Sequence, residues 1–364
     1  MRAPAQGLDP EQALAAGRWV KWIGGASNQD LSAIEDLAGI HALAGVHCLD
    51  VAADAAVVAA ARRGMAWAQA RGAARPWLML SLSDGADPHF RKAWFDPARC
   101  PSDCARPCER VCPAAAIPPL PAHPAAAGVL VDRCYGCGRC LPACPLGLIE
   151  ERPQVLEAEA VAPLLAELRP DAIELHTRLG RAEAFAERLH QVQASGVPLR
   201  RLAVSCGLEP AAGETLPRES ATPEELAAEL WQRHALLRQA GFRPLWQLDG
   251  RPMRGDVGAG AAHAAVRLWQ RLGPLAPPGP LQLAGGTNGH SRALVDRVAP
   301  GGPPLAGVAF GGVSRSLLQP LLLQAQQRGS TLLLEQDLWP QALDLVRQLL
   351  EPWLRGQAGV RSAG

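Results

Sequence analysis

An α/β barrel of eight strand–helix units, interrupted by a cysteine-rich module, is the fold class this sequence predicts, and three observations carry it. Short apolar runs alternate with helix-length segments eight times, the pattern of a parallel sheet whose crossovers are helices. The alternation stops once, for roughly seventy residues after the third run, and then resumes. Eight of the ten cysteines lie inside that interruption, between Cys100 and Cys144. With the interruption removed, the eight units fit the ~250 residues of a (β/α)8 barrel. An open doubly wound sheet joined to the cysteine-rich module is the alternative.

The first run, residues 18–24, precedes a helix over 31–44 in which Ile34, Leu37, His41 and Ala44 recur at helical spacing. The second, 46–52, leads into an Ala- and Arg-rich helix over 55–70, and the third, 76–82, ends the regular part. A helix over 155–168 and the run 172–176 resume it. The fifth unit joins 199–206 to a helix over 224–239, its start marked by Thr222 as cap and Pro223 in the first turn. The last three pair 244–248 with 261–272, 281–284 with 291–298, and 305–310 with 316–327. Residues 332–364 hold one amphipathic helix (Ala342, Leu345, Val346, Leu349, Leu350) and a polar tail. The expected division is therefore 1–84 and 152–330 for the two parts of the barrel, 85–151 for the insertion, and 331–364 for the C-terminal helix and tail. An insertion after strand three opens on the carboxyl end of the barrel, where this fold builds its sites.

Within the insertion, Cys134, Cys137, Cys140 and Cys144, followed by Pro145, read C-x2-C-x2-C-x3-C-P, the bacterial ferredoxin run for a [4Fe–4S] cluster. Three thiolates two residues apart wrap one face of a cubane, and Gly136 and Gly138 allow the tight turn. The fourth cysteine of such a run serves the other cluster of a pair, and a second quartet exists upstream: Cys100, Cys104, Cys108 and Cys112, then Pro113. Its first two gaps are one residue longer, which leaves a three-iron form or zinc open for that half. Pseudo-symmetry assigns Cys100, Cys104, Cys108 and Cys144 to one cluster, and Cys112, Cys134, Cys137 and Cys140 to the other. Zinc sites set two C-x2-C pairs well apart, unlike the four thiolates within eleven residues here. Arg106, Arg110, Arg133 and Arg139 stand close enough in sequence to offset cluster charge. Residues 129–131 read as a short strand entering the second motif, and residues 91–95 as a basic, aromatic segment packing the insertion on the barrel. Cys48 and Cys206 sit alone in strand-like runs and read as inert buried thiols.

At the barrel mouth, Gly285, Gly286, Thr287 and Asn288 follow strand seven, and Gly311 and Gly312 follow strand eight. These are the two loops that hold phosphate in many barrels, so a phosphorylated ligand such as FMN is a candidate. Asn28, Asp50, Glu174, His176 and the polar loop 247–260 also fall at strand ends and outline a polar pocket. No complete catalytic constellation is legible.

Charge and chain ends narrow the class further. Lys+Arg number 36 against 35 Asp+Glu, with only Lys21 and Lys92 among the lysines, so no field recruits nucleic acid. No apolar run reaches the ~18 residues of a membrane span, and the first residues lack a signal-peptide core. A cytoplasmic, reducing setting is expected, where clustered thiols bind metal rather than pair as disulfides.

Residues 26–31, 81–85 and 87–97, both quartets, and residues 246–253 and 282–290 resemble the cyanobacterial light-dependent period family, LdpA, over most of the chain. The resemblance implies an iron–sulfur protein that passes the redox state of photosynthetic metabolism to the circadian clock through clock input proteins, with a redox partner protein conceivable. A redox sensor is the leading expectation from these features together. An oxidoreductase relaying electrons through two clusters to a flavin at the barrel mouth is the rival, and a scaffold with structural clusters the third reading.

Overall fold

Each barrel strand is short and buried on both faces, as a parallel sheet covered by helices requires. In chain order they are β1 (Trp19–Gly25), β2 (Cys48–Ala52), β3 (Trp77–Ser83), β6 (Ala172–His176), β7 (Arg201–Cys206), β8 (Pro244–Asp249), β9 (Leu281–Ala284) and β10 (Gly307–Phe310). All adjacent pairs are parallel, and β1 closes the ring on β10 through Trp19 against Gly307 and Trp22 against Phe310. The computed structural model describes residues 8–25, 30–86, 90–119, 128–208, 221–250, 259–298 and 302–355. A closed barrel, not an open sheet, is thus the architecture.

The crossover helices sit where the apolar spacing puts them. Helices α2 (Leu31–Ala44), α3 (Ala55–Gln69), α6 (Ala158–Leu168), α8 (Pro223–Gln239), α9 (Ala262–Leu272), α10 (Ser291–Val298) and α11 (Gly312–Gln327) pack Ile34, Leu37, Val58, Val161, Leu226, Leu268 and Leu318 into one core. Thr222 caps α8 as expected, accepting from the Glu225 amide while Glu225 reaches back to Thr222. Among the described residues outside the insertion, two α-helices fall where the sequence predicts none. Helix α7 (Ala182–Ala194) follows β6 and buries Phe185, Leu189 and Val192. Helix α1 (Pro10–Ala15) places Leu14 under the amino end of the barrel beside Trp19, Trp77 and Met79. The C-terminal helix α12 (Trp339–Leu354) packs on α2, and Asp36 of α2 fixes the preceding segment by accepting from the Leu332 and Leu333 amides at 2.9 and 3.0 Å. The tail beyond 355 lies outside the described residues.

The insertion leaves the barrel after β3 and returns through α6. Its neck is an antiparallel pair, β4 (Arg91–Trp94) against β5 (Glu150–Pro153). Two expectations need correction here. Residues 129–131 form a bend and turn, not a strand, because Leu130 gives its amide to Ala116 at 2.7 Å and the Cys134 amide folds back onto the Leu130 carbonyl. The buried residues of 91–95 pack within the insertion. Ala93 and Phe95 belong to the insertion's own core with Ile117, Val129 and Ile149, while Trp94 stacks under Arg152 at 3.1 Å.

Candidate iron–sulfur site

The two quartets adopt matching local structure. Each ends in a short helix, α4 (Pro107–Val111) and α5 (Cys140–Ala143), and the two helices lie against each other. Each helix is closed by its Cys-Pro cysteine with nearly the same backbone, φ −81° and ψ 105° at Cys112 and φ −78° and ψ 112° at Cys144. In both, the cysteine sulfur accepts from the amide four residues on, Ala116 to Cys112 at 3.2 Å and Leu148 to Cys144 at 3.4 Å. Amide donors of this kind stabilise negative charge on sulfur. At Cys144, burial works to raise the thiol pKa, but the amides of Leu148, Leu146, Ile149 and Gly147 outweigh it and the pKa is lowered.

One pocket draws cysteines from both motifs. Cys112, Cys134, Cys137 and Cys140 line one pocket together with Tyr135 and Gly138, its other wall being Ala93, Ala116 and Ile117. The space between those atoms, part of it open to solvent, is about 340 Å³. Gly136 and Gly138 have φ of 77° and 75°, so the loop between the cysteines needs residues without a Cβ to turn this tightly. Among the described residues no three His, Cys, Asp or Glu side chains converge to hold a single metal ion. The four cysteines line one pocket with apolar walls, and the Ala116 amide donates to the Cys112 sulfur, surroundings that fit an iron–sulfur cluster. On the other side, Cys108 neighbours Cys144, Cys100 neighbours Cys104, and Arg106 lies among them with its guanidinium 3.7 Å from the Cys100 sulfur. Arg106 is held there by Glu109 and by the Pro118 carbonyl at 2.9 Å. Arg110 instead bonds the Ala105 carbonyl at the surface.

The module is tied to the barrel at one corner. Arg139 forms an ion pair with Asp30, the residue that opens α2, and Tyr135 belongs to the barrel's hydrophobic core with Cys137 packed against it. Phe90 meets His176 of β6 edge to face at 5.5 Å.

Below that contact the barrel interior is polar, which sequence reading only partly anticipated. Lys21 of β1, fully buried, donates to Asp50 at 2.7 Å and to Glu174. Asp50 also accepts from Ser81 at 2.6 Å, and Glu174 from Gln247 at 2.8 Å, with His176 at 2.9 Å. Burial opposes charge on Lys21, yet the two carboxylates prevail and raise its pKa, so the ammonium persists. Burial raises Asp50, and pushes Asp249 up to about 7 with help from the Glu174 charge. Asp50, Glu174 and His176 are legible in the sequence as strand-end polar residues; Lys21 is not among them. Its signal was a lone lysine inside Trp19-Val-Lys-Trp22, since a charge in a strand covered by helices must face the barrel interior and be paired.

The glycine loops stand at the mouth as expected, but Thr287 and Asn288 are committed to internal bonds. Thr287 donates to the Ala309 carbonyl at 2.5 Å, and Asn288 accepts from the His290 amide at 2.9 Å in the turn before α10. Gly285 and Gly286 have φ of 63° and 89°, and Gly311 and Gly312 open α11. Cys48 and Cys206 are buried in the barrel wall, where burial pushes the Cys206 thiol up to about 12. Asn28 and residues 251–258 lie outside the described residues.

Fold and site together define a (β/α)8 barrel protein carrying an iron–sulfur cluster-binding insertion on its carboxyl face. Comparison with known sequences agrees: residues 100–155 match the LdpA Fe–S cluster-binding domain, and residues 164–352 match the light dependent period A C-terminal domain. The chain is 47% identical over 326 residues to Light dependent period A of Synechococcus elongatus, covering 88% of this chain and 87% of that protein. It belongs to the light dependent period A family. Among solved structures it is similar to type I 3-dehydroquinate dehydratase of Clostridium difficile, at TM-score 0.37 and 9% identity over 91% of this chain and 93% of that one. It is also similar to 3-deoxy-D-arabino-heptulosonate 7-phosphate synthase of Thermotoga maritima, at TM-score 0.39 and 12% identity over 86% and 89%. No helix among the described residues is long and apolar enough to cross a membrane.

Proposed function

We propose that this protein is a redox sensor that carries two [4Fe–4S] clusters and reports their state through the barrel-facing side of the insertion to a protein partner of the clock input pathway. Cys112, Cys134, Cys137 and Cys140 hold one cluster in this reading, and Cys100, Cys104, Cys108 and Cys144 the other. The observation that carries it is the pocket lined by one thiol of the upstream quartet and three of the downstream quartet, since a cluster there ties together both halves of the insertion. Each cluster supplies reversible one-electron chemistry, changing the charge in a partly buried site. The chain's own residues then do the reporting. Cys137 and Tyr135 rest on the barrel core, and the neighbouring Arg139 holds the start of α2 through Asp30. A change of charge between them alters how firmly that corner is held. The clock partner is what the family name and the sequence resemblance imply, and the family assignment supports the cofactor.

Hydrogen exchange of the anaerobic protein, oxidised against dithionite-reduced, tests this reading. Protection should change across residues 130–146 and at the first turn of α2, and capture of clock input proteins should differ between the two states. Arg139→Ala should retain iron and change stability by less than about 1 kcal/mol, as expected for an exposed ion pair, yet lose the exchange difference at α2. Identical exchange in both states refutes the sensor.

A further inference from the structure

Tyr135 is the only tyrosine of the chain, and its placement is unusual for a phenol. It sits between Cys134 and Gly136 on the wall of the cysteine pocket, 7% exposed, with its ring in the barrel's hydrophobic core. Burying a hydroxyl without a partner is costly, and such groups in native structures carry a reason. The Tyr135 hydroxyl is buried and meets no acceptor in hydrogen-bond geometry among the described residues. Its neighbours are the Cys137 thiol, the Asp30 carboxylate and the Arg139 guanidinium. Phenylalanine would fill the same apolar corner without the cost of the hydroxyl, so packing does not account for this residue.

We propose that Tyr135 is a positioning residue for the cluster held by Cys112, Cys134, Cys137 and Cys140, its hydroxyl donating to sulfur at Cys137. The inference rests on the two-cluster reading above and adds to it the residue that sets one cluster apart from the other. A thiolate is the acceptor the pocket offers, and Cys137 stands beside the hydroxyl, two residues along the same loop. An O–H donor on sulfur draws off electron density and favours the state with one more electron. Tyr135 therefore raises the potential of this cluster, while Arg106 on Cys100 is the donor nearest its twin. It does so at the corner where the insertion meets Asp30 of the barrel, next to α2.

Two changes of opposite sign test it, read by mediated redox titration of the anaerobic protein with optical and paramagnetic detection. Tyr135→Phe keeps the ring and removes the donor. At fixed ambient potential the reduced-to-oxidised ratio of one cluster should fall about five- to tenfold, tenfold being ~59 mV for a one-electron couple, while the other cluster stays put as an internal control. Growth on 3-fluorotyrosine replaces only this phenol with a stronger donor and should move the same cluster the opposite way. The fluorinated protein carries the test alone if Tyr135→Phe loses iron. Potentials unmoved by either change at full iron content, or both clusters moving together, overturn the inference. Wild-type protein with neither iron nor sulfide overturns the two-cluster reading instead.

Discussion

Replacing Lys21 with methionine perturbs the barrel at its most charged interior point. Methionine is close in length and volume, so the change removes the ammonium with little cavity cost, and Met79 already lies 3.6 Å from Nζ. Glu174 keeps Gln247 at 2.8 Å and His176 at 2.9 Å, but among the described residues Asp50 is left with the Ser81 hydroxyl at 2.6 Å. Breaking a buried pair by removing one partner costs about 3–5 kcal/mol. The cheapest relief is protonation of Asp50. Holding that proton costs about 1.4 kcal/mol for every pH unit above the ordinary aspartate value, which is about 5 kcal/mol near pH 7.5 and about 2 near pH 5.5. A carboxyl whose folded pKa is raised binds more protons folded than unfolded in this window, so the variant gains stability as pH falls. Urea unfolding followed by tryptophan fluorescence should show Lys21→Met less stable by about 3–5 kcal/mol near pH 7.5. The deficit should shrink by about 3 kcal/mol near pH 5.5. Adding Asp50→Asn should recover most of the loss at the higher pH. A deficit under about 1 kcal/mol, or one that does not change with pH, would refute the charge assignment inside the barrel.

Other outcomes follow from the packing. His41 is buried against Trp22 with a ring nitrogen 2.7 Å from the Leu37 carbonyl, and burial pushes its pKa down to about 4, with Arg315 adding to the effect. The unfolded chain protonates this histidine near 6.5, so its contribution is complete above that pH and is lost as pH falls toward 4. The stability gap between wild type and His41→Gln should narrow by about 2 kcal/mol between about pH 7 and 5 in urea titrations, and parallel curves would contradict the assignment. At Gly64 of α3 an added Cβ would lie 2.3 Å from the Glu35 carbonyl and 2.8 Å from the Gly39 amide of α2. Gly64→Ala should therefore destabilise by about 1–3 kcal/mol despite alanine's better helix propensity, measured by the urea midpoint; an unchanged midpoint means α2 and α3 do not approach so closely.

The strand–helix alternation was readable because barrel strands are buried on both faces and stand out as short apolar runs, as in Trp77-Leu-Met-Leu-Ser-Leu. Helix α7 hid because its apolar residues Phe185, Leu189 and Val192 are diluted by charge, including Arg188, which is buried and bonds the Leu156 carbonyl at 2.9 Å. Cysteine spacing showed which thiols belong to the insertion, since ligand runs are local in sequence. The polar barrel interior was only half visible, because strand position alone does not say that Lys21, Asp50, Glu174 and Gln247 from four strands meet at one point. Tyr135 carried no signal beyond its place between two cysteines; its role depends on which core its ring enters.

Iron and acid-labile sulfide content, with paramagnetic spectra of the reduced protein, test the central claim most directly when wild type is compared with Cys112→Ser and Cys137→Ser. Two cubanes with exchanged ligands predict about eight iron and eight sulfide per wild-type chain. Both variants should then lose about half of each and lack the same cluster signal. Zinc without sulfide in the wild type, or a Cys112→Ser protein that loses the signal Cys137→Ser retains, would contradict the account.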